Sequence, residues 1–359
     1  MSKVYFIPVK ESDARDVVAA KLSRLLETSK VLDFIGKDSA VAVKMHFGEE
    51  GNTGHVRPEY AGVICGKLAQ DASAKPFLSD TNTLYRGRRT NSVEHLKLAR
   101  EHGFTKDVCR ADIVIPDDNI KENVTDVKID GDYIEIARVV TQFIKADALV
   151  GIAHFKGHMM TGFGGALKNI GMGCASREGK LAQHSDVTPI VDLDRCEQCG
   201  KCAEVCPADA IYLRGRRVYI NPAKCIGCAT CIAVCEQGAI EVNWEAGGSS
   251  IQEKMIEYAS AVLKNKKRSS AFINFATKIT KECDCLAKDD PRIAPDIGIF
   301  ASRDPVSLDQ ACYDAVFNAC GKDIFKEAHP SRDGSKQLHY AHELGLGELQ
   351  YELIEVKGV

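Results

Sequence analysis

The chain of 359 residues carries 47 Lys plus Arg against 50 Asp plus Glu, a formal charge of -3, so its balance gives no reason to expect nucleic acid or an anionic membrane as partner. Its 15 cysteines, an odd number, do not make a complete disulfide framework, and no apolar run approaches the ~20 residues of a membrane span. The expectation left by these numbers is a metal-binding protein of the cytoplasm, without membrane insertion.

The opening VYFIPV reads as a strand, Ala14 to Leu32 as a helix, AVAVKMHF as a buried strand, Tyr60 to Ala72 as a helix and KPFLSDTN as a strand. The RGRR cluster, Arg86 to Arg89, reads as a solvated turn. A helix near Ser92 to His102, a strand ADIVIP, a helix from Ile136 to Lys145 and a strand ALVGIAHF follow. Near the other end SIQEKMIEYASAVLKNKK has the apolar spacing of an amphipathic helix, with SAFINFATKIT and DIGIFAS as strands after it. Alternation of this kind predicts an α/β fold, a mostly parallel sheet covered by helices, whose sites gather where loops leave the carboxyl ends of strands. His46, Asp80 and His154 stand at such ends.

Two cysteine runs interrupt this pattern, CEQCGKCAEVCP (Cys196, Cys199, Cys202, Cys206) and CIGCATCIAVCE (Cys225, Cys228, Cys231, Cys235), repeated with a period of 29 residues. Zinc ribbons also use C-x2-C pairs, but four-coordinate zinc leaves the third cysteine of each triple without a task. The C-x2-C-x2-C-x3-C spacing resembles that of bacterial two-cluster ferredoxins. The resemblance implies two 4Fe-4S clusters, one held by Cys196, Cys199, Cys202 and Cys235, the other by Cys206, Cys225, Cys228 and Cys231. Glu236 stands where such ferredoxins usually have proline, a turn position and not a ligand. Two such clusters add roughly -4 to the chain, which favours an external electron donor or acceptor protein with a basic patch. The expected layout is a small α+β ferredoxin-like domain, 189–246, inserted between the parts 1–188 and 247–359 of one α/β domain.

The stretch HFKGHMMTGFGGALKNIGMG, His154 to Gly173, holds two histidines, two lysines and six glycines. It matches neither the P-loop nor the dinucleotide fingerprint. Three accounts remain. Lys156, Lys168 and backbone amides around Gly164 and Gly165, with Asp80 and His46, hold an anionic substrate or cofactor; His154, His158 and His184, with His46 from another strand end, approach a further metal ion; or the glycines serve close packing and the histidines are satisfied in the core. Cys283 and Cys285 form a C-x-C that suits a metal or redox centre, a labile disulfide or buried thiols. Cys312 and Cys320 share a helix face, Cys65, Cys109 and Cys174 carry no spacing signal, and His339 and His342 fit a solvated helix face. Asp304 or Ser307 reads as a helix cap, with Asp309 in the first turn.

Taken together, KMHFGE, HFKGH, GGALKN, the two cysteine runs, ECDC and DIGIFASRDPVSLDQA resemble the uncharacterised iron-sulfur-center proteins of the domain-of-unknown-function family numbered 362, over roughly Lys44 to Ala319. That resemblance implies an architecture and clusters but no reaction. His158, Lys168 and His184, with a GFGG turn between the first two, are also similar to the nickel-pincer lactate racemase family. There Lys168 would carry the pincer, His184 would ligate nickel and His158 would act as general base or acid. The functional expectation is an iron-sulfur oxidoreductase that passes single electrons to a pocket in the α/β domain, with catalytic candidates His154, His158 and Lys168. Its rivals are a non-enzymatic electron-transfer or scaffold subunit docking on a partner reductase, and a metal-dependent isomerase with structural clusters.

Overall fold

The computed structural model describes residues 1–84, 87–117, 120–184, 188–215, 217–225, 230–242 and 250–357. Eight strands form its central sheet: β1 (Ser2–Pro8), β2 (Ala40–Lys44), β3 (Lys75–Ser79), β4 (Asp112–Val114), β5 (Ala148–His154), β6 (Ser270–Ala276), β7 (Gly298–Ser302) and β8 (Tyr351–Glu355). Their order across the sheet is β8-β1-β7-β6-β5-β2-β3-β4. All neighbours are parallel except β7, which runs against both β1 and β6. Helices cover both faces, as the strand-helix alternation predicts.

Side chains of successive strand residues divide between the two faces. Val41, Val43, Val150, Ile152 and Ile273 pack with the helices Arg15–Ser29 and Pro58–Ala72. Ala42, Leu149 and Phe272 pack on the other side with Ile170, Met255, Tyr258, Val262 and Cys312. Because both faces are covered, β5 is buried along its whole length, which explains why ALVGIAH is apolar without alternation.

Two neighbouring strands leave in opposite directions across the sheet. From β2 the chain winds outward through β3 to β4, whereas from β5 it continues on the other side to β6. The carboxyl ends of β2 and β5 therefore flank a switch point, the place where open α/β sheets collect ligands.

The segment read as a helix over Ile136–Lys145 is a helix only from Thr141 to Lys145. Ile136–Val140 instead pairs antiparallel with Val124–Lys128 as a side ribbon. Ala137 and Val139, two apart, are buried while Ile136 and Arg138 are more open, and the neighbouring VTDVK supplies the partner that a single-segment reading overlooks. The strand ADIVIP is also shorter than expected, Asp112–Val114, as befits a sheet edge.

Between residues 188 and 242 the described chain forms two small two-stranded sheets, Ile190–Val191 with Ile240–Glu241 and Ile211–Arg214 with Arg217–Ile220, and two short helices, Lys201–Glu204 and Thr230–Val234. Ile211, Val218, Ile232, Ile240 and Val242 make a small apolar cluster there, and Leu84 and Leu181 of the main body join it.

Candidate functional site

A cavity of about 480 Å³ opens at the switch point. Its wall includes His46, Asp80, His154, Lys156, His158, Gly164, Gly165, Lys168, His184, Cys283 and Cys285, so the α/β-domain residues singled out in the sequence converge on one space.

The floor comes from strand ends. Lys44, the last residue of β2, places its Nζ 3.0 Å from Asp80 Oδ1 and 3.0 Å from Asn169 Oδ1. Burial opposes ionisation of Asp80, but Lys44, with His46, His95 and Arg89 around it, holds its carboxyl below the usual range. Arg89 lies 2% exposed, pairs with Glu49 at 3.0 Å and approaches His46 Nε2 at 2.7 Å. The RGRR cluster is thus no uniformly solvated turn: its last arginine is drawn inward by a buried carboxylate. Burial first, then Arg89, lowers the His46 imidazole well below its ordinary value.

The glycine-rich stretch makes the opposite wall. It folds as a hairpin, Lys156–His158 against Gly162–Gly164, leading into the helix Ala166–Gly171. Gly162 adopts a left-handed φ of 78°, where a side chain would also run into the backbone of Gly334. At Gly164 a Cβ would sit 2.9 Å from Lys168 Cδ, and at Gly165 it would sit 2.3 Å from Asp309 Oδ1. These glycines make room for charged side chains.

Asp309 uses that room to accept hydrogen bonds from the backbone N–H of Ala166 (2.7 Å) and Leu167 (2.9 Å) and from Asn274 Nδ2 (2.6 Å). The amides expected to greet an external anion are therefore already occupied. Asp309 caps this helix rather than acting in the first turn of its own; Asp304 caps that one through Val306 and Ser307. Burial raises the Asp309 carboxyl to about 6 against the pull of its three donors.

Charges that remain in the cavity belong to side chains. Lys156 Nζ hydrogen-bonds to the His154 carbonyl at 2.9 Å and lies 3.4 Å from Asp284 Oδ2. The Lys168 side chain has no hydrogen bond or ion pair among the described residues, and burial, then Lys156 and Lys44, bring its amine down to about 7. Lys180 reaches Thr81 Oγ1 and the Asn82 carbonyl. Pairing Lys44 with Asp80, Lys156 with Asp284 and Arg89 with Glu49 leaves a surplus of positive charge.

The three histidines differ in their commitments. His154 Nδ1 faces Asp284 at 2.9 Å and its Nε2 faces the Thr277 carbonyl at 2.9 Å, so both nitrogens are tied to acceptors. His158 is the reverse: its Nδ1 accepts from the backbone N–H of Met160 (3.1 Å) and Thr161 (3.2 Å). Two donors that cannot reverse their polarity assign the ring proton to Nε2. Burial, then Lys168 and Lys156, lowers its basicity well below that of a free histidine, so it stands as a neutral N–H donor. Burial likewise lowers His184 to about 3, with Lys168 and Lys180 adding to the effect.

Cys283 and Cys285 form a disulfide, one of the alternatives their spacing left open. Asp284 between them turns away to His154 and Lys156, and its carboxyl is held well below the usual range by His154 and Lys156 despite burial. A ring nitrogen of His158 and the two sulfurs lie within 4.8 Å of one another.

In the cysteine-rich segment, Cys202 and Cys231 are buried, Cys199 is exposed, and Cys196, Cys206, Cys225 and Cys235 are half-buried; none of these seven is in a disulfide. Cys228 lies outside the described residues. The sequence repeat is repeated in the backbone: Ala210 N–H points at Cys206 Sγ (3.3 Å) and Ala239 N–H at Cys235 Sγ (3.2 Å), again 29 residues apart. Burial raises the Cys202 thiol, and the nearby Cys235 and Cys199 raise it further, which puts sulfurs from both runs in one neighbourhood. This soft, all-sulfur donor set with backbone N–H groups aimed at it fits iron-sulfur clusters. No helix among the described residues is long and apolar enough to cross a membrane.

Several residues of the site have no role that spacing reveals: Lys44, Glu49, Asn169 and Asp284 fall within KMHFGE, GGALKN and ECDC without being singled out there, and Lys180 belongs to no such stretch.

Comparison with known proteins divides along the same line. The cysteine-rich part is 40% identical over 63 residues to hydrogenase-4 component A of Escherichia coli (18% of this chain, 30% of that protein), and 49% identical over 53 residues to a ferredoxin of Saccharopolyspora erythraea (14% and 45%). It is also 45% identical over 49 residues to the electron transport protein HydN of Escherichia coli (13% and 28%). The chain spans less than half the length of each of these relatives, and the matches support iron-sulfur electron transfer in general. Among solved structures, a Thermotoga maritima protein matches with a TM-score of 0.46 at 12% identity, covering 86% of this chain and 59% of that one. The lactate racemase apoprotein of Thermoanaerobacterium thermosaccharolyticum matches with 0.37 at 17%, covering 75% and 55%. A family model, domain of unknown function DUF362, matches residues 41–314, most of the chain, and to that family this protein belongs.

Proposed function

We propose that the protein is an oxidoreductase in which two 4Fe-4S clusters deliver single electrons to a small anionic substrate or cofactor in the switch-point cavity. Cys196, Cys199, Cys202 and Cys235 hold one cluster and Cys206, Cys225, Cys228 and Cys231 the other, within an inserted domain of residues 189–246. When bound, the clusters supply one-electron transfer at low potential.

The observation that carries this reading is Leu84, which lines the cavity and packs in the same apolar cluster as Cys202 and Cys231. Leu84 thus joins the apolar cluster of the sulfur-rich segment to the lining of the charged pocket. Lys156 and Lys168 hold the anion, with Lys168 free to turn its ammonium toward it. His158 Nε2–H donates a hydrogen bond to negative charge that develops during reduction, as a neutral imidazole does when it serves as an electrophile. His154, tied at both nitrogens, fixes the Asp284 loop, and His184 lines the cavity as a ligand for the anion or for a further metal ion. The redox partner is an external carrier protein.

Iron analysis and phosphate binding test the reading together. Anaerobically purified protein is expected to carry roughly eight irons and a broad visible absorption bleached by dithionite. Lys168→Met keeps that iron but binds inorganic phosphate about tenfold or more weakly, the loss of one charge-assisted contact. Stoichiometric zinc without colour sinks the cluster half, and unchanged phosphate affinity sinks the pocket half.

A further inference from the structure

Cys283 and Cys285 are not used by the reading above, although both line its cavity. Their loop is built to present them. Glu49 N–H bonds to the Asp284 carbonyl at 3.0 Å, Leu286 N–H to the Cys283 carbonyl at 3.2 Å, and Arg89 reaches the Cys285 carbonyl at 3.4 Å. The buried Asp284 anchors the turn from behind, and a Cβ on Gly54 would stand 2.9 Å from its Oδ1. With the middle residue pinned inward, the two sulfurs face the cavity, Cys283 6% exposed and Cys285 more open.

We propose that Cys283–Cys285 is a redox-active couple of the cavity, reduced by anionic dithiols in a two-electron, two-proton exchange, with the His158 N–H stabilising the sulfur that leaves. The proposal rests on the cavity being the reaction site and names the chemistry that occurs at its wall. One thiolate of the dithiol bonds to Sγ of Cys285, the more accessible sulfur. The Cys283–Cys285 bond breaks, and its electron pair departs on Cys283 Sγ. The second thiol of the reductant then attacks the mixed disulfide, closing into its own cyclic disulfide and releasing the Cys285 thiolate. The reductant's two protons end on the two cysteines, so dithiol plus disulfide become disulfide plus dithiol.

Three features favour this use over an inert bridge. A leaving thiolate needs a donor, and a ring nitrogen of His158 is within 4.8 Å of both sulfurs. It also benefits from cations, and Lys156 and Lys168 line the same wall. Attack by an external thiolate needs access, which a cavity of about 480 Å³ provides. Those ammonium groups also select the reductant, favouring an anionic dithiol over a neutral one.

The experiment is differential alkylation of the folded, full-length protein, with each cysteine identified by peptide mass. Dihydrolipoate, an anionic dithiol, is compared with neutral dithiothreitol, and reoxidation follows removal of the reductant. Cys283 and Cys285 are expected to become alkylatable together and to re-form their bond on reoxidation, with dihydrolipoate faster by about tenfold at low salt. His158→Phe is expected to slow the reduction roughly tenfold or more, the loss of one donor to a developing anion, at unchanged iron content. A pair that is reduced only after unfolding in urea overturns the proposal, as does an unaltered rate in His158→Phe. Phosphate binding is measured on the same samples: if it persists while the pair resists reduction, the couple fails and the cavity stands; if it is absent, the cavity reading itself fails.

Discussion

The cavity and the cysteine-rich segment solve the same problem, holding reactive groups in place, by opposite means. In the cavity three buried charge pairs join distant parts of the chain: Lys44 with Asp80, Arg89 with Glu49, His154 with Asp284. In the segment Cys202 and Cys231 sit on short helices and Cys196, Cys199, Cys206, Cys225 and Cys235 on irregular chain, steadied by isolated N–H contacts such as that from Ala210 to Cys206. The first region is held by contacts between its own side chains. The second has a small apolar cluster that already counts Cys202 and Cys231 among its buried members, so a bound inorganic core would add most of its cohesion.

Breaking one region should therefore leave the other standing. The largest effect is expected from Cys202→Ser, which should lower iron from roughly eight to roughly four per chain or fewer while far-ultraviolet dichroism of the α/β body persists; iron analysis with dichroism checks it. Asp80→Asn attacks the other side. It strands Lys44 in a buried site and should cost about 3–5 kcal/mol in a denaturant melt, with the iron-to-protein ratio of the folded fraction unchanged. A simultaneous collapse of both regions in either variant would show that they are one cooperative unit.

Lys168→Met sharpens the contrast, because the Lys168 ammonium has no hydrogen bond or ion pair among the described residues. Its folded value of about 7 lies below its unfolded value of 10.5, so the native state binds fewer protons between these limits and stability from this group rises with pH across them. Below pH 7 the full cost of the buried ammonium remains. The variant should accordingly gain about 1–2 kcal/mol at pH 6, discounted for solvent at the half-buried side chain, and much less near pH 10, as thermal melts at the two pH values would report. The smallest effect belongs to Cys320→Ser. That half-buried thiol ends a helix remote from both regions, and its loss should stay within about 0.5 kcal/mol and leave the iron unchanged.

The same contrast explains how much was legible beforehand. Iron-sulfur ligation of this type uses residues three and four apart, so CEQCGKCAEVCP and CIGCATCIAVCE announce it without a fold. A charge pair such as Lys44 and Asp80 is assembled across two parallel strands, and Lys156 with Asp284 across the whole intervening segment; neither spacing follows a rule. Strand ends gave His46, Asp80 and His154 because topology makes them converge. Arg89 was misread since a run of arginines looks solvated until a buried Glu49 is known to face it. Asp309 was misread for a similar reason: its position in a first turn fits a helix dipole, while its real partners, Ala166 and Leu167, lie more than a hundred residues earlier. Ile136–Val140 reads as helix in isolation because its ribbon partner lies in a separate, short and mostly polar run.

Asp309 has a further consequence. By filling the amino end of the Ala166–Gly171 helix from within the protein, it makes the geometry of Lys168 independent of whatever the pocket holds. A ligand can come and go without the helix gaining or losing a bond, so the wall has no reorganisation to undergo at the moment charge arrives. Amide hydrogen exchange at Ala166 and Leu167 is therefore governed by an internal carboxylate, whatever occupies the pocket.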